Sequence, residues 1–117
     1  MYLLIMVLDN SEKLNDVLHA WVAVGVPGVT ILESTGLNRV LPRDHAGSMF
    51  AGFSQIFGTG RVGHNTLFAV IESLDVAETA VKATEAIIGP LANPHTGIVF
   101  TLPIAKTWGI SDPYLNE

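Results

Sequence analysis

Tyr2-Leu3-Leu4-Ile5-Met6-Val7-Leu8-Asp9-Asn10-Ser11 opens the chain with an unbroken apolar run that stops at polar turn formers. Such a short run, bounded in this way, reads as a strand covered on both faces. It falls far short of the roughly 20 residues of a membrane span, and no Lys or Arg precedes it, so neither an anchor nor a secretory leader is expected. Directly after it the period changes. Leu14, Val17, Leu18, Trp21 and Val22 stand at i, i+3, i+4, i+7 and i+8, the spacing of one buried helix face. Asn10 or Ser11 is placed to cap this helix, and Gly25 to end it in the left-handed region.

The rest of the chain repeats that theme. Val26-Pro27-Gly28 turns into Val29–Thr35, whose β-branched content predicts a second strand, and Thr66–Ile71 predicts a third. Asp75 with Glu78 resembles a capping box. Val76, Ala80, Val81, Thr84, Ile87 and Ile88 keep helical spacing, Glu78 and Lys82 form an i,i+4 pair, and Gly89-Pro90 stops this second helix. Gly97–Ile104 predicts a fourth strand, with Pro103 placing it at a sheet edge. The order βαββαβ is that of an α+β, ferredoxin-like sandwich: a four-stranded antiparallel sheet with two helices on one face, the first and third strands central. Residues 1–110 then form a single domain, followed by a polar tail over 111–117.

Composition narrows the class. The chain has 117 residues, of which 49% are hydrophobic and 15% charged, and its mean hydropathy is +0.42. That is apolar for a single small domain, and predicts burial of surface against other copies. A net charge of −5 and a pI near 5.2, with the basic residues scattered, argue against nucleic acid. No cysteine is present, so neither disulfides nor thiolate metal sites are possible, and a cytoplasmic location is the expectation.

The run Val24-Gly25-Val26-Pro27-Gly28-Val29-Thr30-Ile31-Leu32-Glu33-Ser34-Thr35-Gly36-Leu37-Asn38-Arg39 is similar to the PII signalling family between the end of its first helix and the base of its T-loop. Gly25, Gly28, Gly36 and Arg39 match that pattern, and Asn38 replaces a glycine. The resemblance implies a homotrimer, an effector held in the clefts between subunits, and a long loop that meets a regulated protein partner. It places Gly36, Leu37 and Arg39 at the effector site. The family's Gly-Asp-Gly-Lys loop is replaced here by Gly89–Gly97 without Asp or Lys, and Lys106-Thr107-Trp108 follows the last strand in place of arginines. The expected effector is therefore an anionic metabolite smaller or less charged than ATP, with Arg39, Arg61, Lys106 and Trp108 as its contacts.

The stretch 37–63 is long for a connection inside a compact domain. Met49, Phe50, Phe53, Ile56 and Phe57 recur at helical spacing and predict a short helix over 48–57, packing on the domain or presenting an adaptable, Met- and Phe-rich face to a partner. His45, His64 and His95 fall in predicted connections and raise a divalent-metal alternative of the kind linked to the trimeric CutA proteins, while His19 reads as surface. Gly58-Thr59-Gly60-Arg61-Val62-Gly63 fits G-x-G-x-x-G but precedes a strand, so it lacks a helix N-terminus for a pyrophosphate. With no nucleophile elbow, phosphate loop or paired carboxylates, no enzyme is expected and no cofactor is assigned. The remaining alternative is a trimeric interaction module without an effector.

Overall fold

The computed structural model describes residues 1–36 and 64–110. Strand β1 spans Tyr2–Leu8, helix α1 Leu14–Ala23, β2 Thr30–Ser34, β3 His64–Ile71, α2 Leu74–Ile88 and β4 Gly97–Pro103. Among the described residues these form one antiparallel sheet in the order β2-β3-β1-β4, so β1 and β3 are central and the Pro103 strand lies at an edge. The structure is α+β and compatible with the ferredoxin-like arrangement.

Alternation fixes which side of the sheet meets the helices. Leu4, Met6 and Leu8 on β1 and Leu67, Ala69 and Ile71 on β3 are buried beneath Val17 and Trp21 of α1 and Ala77, Ala80 and Thr84 of α2. Trp21, the largest core side chain, donates from Nε1 to Thr84 Oγ1 at 2.8 Å, and that hydroxyl donates to the Ala80 carbonyl at 2.7 Å. The one buried polar pair joining the two described helices is thus fully bonded, which makes its burial tolerable.

Local chemistry sets the element ends. Asn10 Oδ1 accepts from the Glu12 amide at 3.0 Å and caps a 3-10 turn, Ser11–Lys13, that leads into α1. At the other end Val26 N bonds Trp21 O, Gly25 N bonds Val22 O, and Gly25 has φ +93, a Schellman stop that tucks Val26 into the core. The expected α1 stripe is trimmed at one residue: Val22, 68% exposed, lies beyond the contact with the sheet. Helix α2 begins two residues earlier than a capping box at Asp75 requires. Its N-cap is Ser73, in extended conformation and without a side-chain cap bond, which leaves Asp75 in the first turn where a carboxylate suits the helix dipole. The second strand is shorter at both ends than Val29–Thr35, and the third starts earlier, at His64.

The other side of the sheet has no described element over it. Register aligns Phe68, Ile5 and Phe100 in one row, and Val70, Leu3 and Leu102 in the next. Phe100 is 40% and Ile98 56% exposed, and Leu32 and Leu102 are exposed with them. Where β1 finishes, the β2–β3 side of this face turns polar: Thr66 and Ser34 share a 2.8 Å hydroxyl hydrogen bond.

Candidate functional site

The polar end of the open face is where β2 leaves the sheet, β1 leaves it and β4 enters it. Three connections therefore converge there. Antiparallel pairing of Leu8 with Asn65 carries the next residues, Asp9 and His64, into juxtaposition, and His64 Nε2 lies 2.9 Å from Asp9 Oδ1 in a largely buried pair. Gly36 sits against the imidazole so closely that an added Cβ would stand 2.9 Å from His64 Cε1. Asp9 N also donates to Thr96 O at 3.3 Å, which ties this point to the loop before β4.

That loop is internally braced. Glu85 Oε2 accepts from the Leu91 amide at 2.8 Å, Asn93 N bonds Pro90 O at 3.0 Å, and Thr96 Oγ1 donates to Asn93 O at 2.8 Å. It ends on His95, with φ 62, and Gly97, with φ 139. Any Cβ at Gly97 would run into the Val7 carbonyl oxygen, so β4 can lie beside β1 here only because residue 97 has no side chain. Two buried polar atoms at the same end of the sheet, Thr35 Oγ1 and Asn65 Oδ1, have no hydrogen-bond partner among the described residues.

Of the residues singled out for an effector, Gly36 belongs to this junction, and Leu37, Arg39 and Arg61 lie outside the described residues, as do Met49, Phe50, Phe53, Phe57, the expected 48–57 helix and His45. Lys106 and Trp108 are elsewhere. They follow Pro103, whose register partner is Tyr2, at the opposite end of β1 from Asp9, about 24 Å away at ~3.4 Å per strand residue. There Lys106 Nζ stacks 4.8 Å from the centre of the Trp108 ring, which is 78% exposed. His64 heads a strand rather than lying in a connection, and its partner is Asp9. Among the described residues no three His, Asp or Glu side chains are grouped to hold a metal ion, and no helix is long and apolar enough to cross a membrane. Asp9 was legible in the sequence only as the end of a strand. Its pairing with His64 follows from the β1–β3 register, which the sequence does not print.

No family model matches the chain, and comparison with curated proteins finds no match.

Proposed function

We propose that the chain is a PII-like regulatory protein: a homotrimer that holds a small anionic effector between subunits and acts on a protein partner, without catalysis. The observation that carries this reading is the separation of the two halves of the binding set. Gly36 and the braced 89–97 loop stand at one end of the sheet and Lys106 with Trp108 at the other. A single protomer cannot close both onto one ligand, whereas two copies can. The apolar rows of the open face provide the surface for bringing copies together, since exposed contiguous patches of this sort mark interaction sites.

The charge balance supports the same division. Asp9 occupies the described half of the junction, so the cations for an anion come from Arg39 on that side and Lys106 on the neighbour's. Light scattering tests the assembly, with about three times the 12.5 kDa of one chain expected. Calorimetry with AMP, ADP, ATP, cyclic nucleotides and simple carboxylates tests the ligand. Arg39→Ala and Lys106→Ala should each weaken binding roughly 10- to 100-fold. Mixing the two variants under subunit exchange should restore a fraction of wild-type sites, because some interfaces then hold both native side chains. Absence of restoration would count against a shared site. Absence of any ligand would leave the interaction module as the better description.

A further inference from the structure

β4 is an edge strand, and the bonds at its two ends show which of its backbone groups face outward. Asp9 N donates to Thr96 O, and Ile104 N donates to Met1 O. In an antiparallel ladder a residue turns its N–H and C=O to the same side, and successive residues alternate. Residues 96, 98, 100, 102 and 104 therefore bond toward β1, while Val99 and Thr101 turn both backbone groups outward. Pro103 falls in the outward set, where no sheet bond needs its missing N–H.

That edge has little to guard it. Natural sheets protect exposed edges with charged residues, prolines or short strands. β2, at the other edge, has five residues and carries Glu33. β4 has seven, none of them charged, and only Pro103 as a guard. Beside it α2 leaves a groove of about 440 Å³, lined by Leu74, Glu78, Val81 and Lys82 from the helix and by Val99 and Thr101 from the strand. Val99 packs against the core from the helix side of the sheet, so the groove and the outward backbone groups form one site. Among the described residues lining it, the carboxylates of Glu78 and Glu85 outnumber the ammonium of Lys82.

We propose that the β4 edge docks an extended segment of another protein as an added strand, with an aliphatic residue and, two positions on, a lysine or arginine turned to the groove. Val99 and Thr101 supply two rungs of main-chain bonds, the aliphatic side chain enters between Val81 and Val99, and the cation meets Glu78. A copy's β2 continuing the sheet with its helices on the same side would instead turn Glu33 toward the groove's carboxylates. The site goes beyond the effector reading and uses none of its residues, so either can fail without the other.

The test is an NMR titration of the isotope-labelled protein, in the oligomeric state it holds in solution, with the capped heptapeptide Thr-Val-Thr-Val-Thr-Lys-Thr and its counterpart with Glu for Lys. The lysine peptide should bind with a Kd of about 1 mM or below, shift Val81, Val99 and Thr101, and give cross-strand NOEs to the Val99 and Thr101 backbone. The glutamate peptide should bind about 10-fold more weakly, and Glu78→Gln should remove that difference. Thr101→Pro deletes an outward N–H without touching the bonds of β4 to β1, so it should abolish binding while Phe100 and Leu102 keep their slow amide exchange. Val81→Trp, which fills the groove from the helix, should abolish it too, with the circular dichroism retained. The proposal is overturned if neither peptide binds at about 5 mM, if the two bind alike, or if a folded Thr101→Pro or Val81→Trp protein binds as wild type does. It is equally overturned if mixed-label samples of the free protein already show Val99 and Thr101 paired with another copy.

Discussion

Gly36 and His64 are fitted to each other: the imidazole occupies the space that a side chain at 36 would need, and Asp9 holds the ring there. A methyl at 36 must push the ring aside and strain its bond to Asp9. Gly36→Ala is therefore expected to cost about 1–2 kcal/mol, near the value of a hydrogen bond to a charged group. In a His64→Ala background the same change should cost less than half as much, since the obstacle is gone. Urea unfolding of the four proteins of this cycle measures the coupling, and strict additivity would refute it.

Thr84→Val keeps the volume at the helix–helix contact but removes the acceptor for Trp21 Nε1. A buried indole N–H without a partner should cost about 1–3 kcal/mol. Adding Trp21→Phe should recover part of that loss if the unpaired donor is its cause. Denaturant midpoints at constant m-value report both results.

At Gly97 the expected penalty is larger, because a positive φ and a backbone obstacle coincide. Gly97→Ala should lower stability by about 3 kcal/mol or more and loosen β4 from β1. Faster amide exchange along Ile98–Thr101 than along β3 would show that the damage starts at this strand.

In the proposed trimer, a charge on the open face should separate the copies without dissolving the core. Phe100→Glu is expected to give a folded species near 12.5 kDa by light scattering. Its quenching by iodide should divide the two tryptophans, with Trp108 accessible and Trp21 protected. A variant that keeps the wild-type mass would remove the open face as the subunit contact.

The strands and their order were legible because two signals agreed. Tyr2–Leu8 and Leu67–Ile71 are apolar throughout, as suits the central strands, whereas Glu33 and Pro103 mark positions that only an edge tolerates. Finer features depended on quantities a sequence does not carry. Val22 obeys the helical period yet is exposed, because the period gives a stripe's direction and not the width of the surface it meets. Ser73 rather than Asp75 heads α2 because the length of the turn after β3 decides where the first helical residue falls. The Asp9–His64 pair required the register between strands far apart in the chain.

Ser34 and His64 are register partners, so residues 37–63 depart and return at points only one strand spacing apart. Closing such an excursion costs free energy that grows only logarithmically with its length, about 0.6 kcal/mol for each doubling. By that closure cost alone, a change in the length of the connection between these two points adds little to what the sheet must offset. If the proposed partner is met by that connection, changes in what is recognised would leave the pairing of the four strands largely untouched.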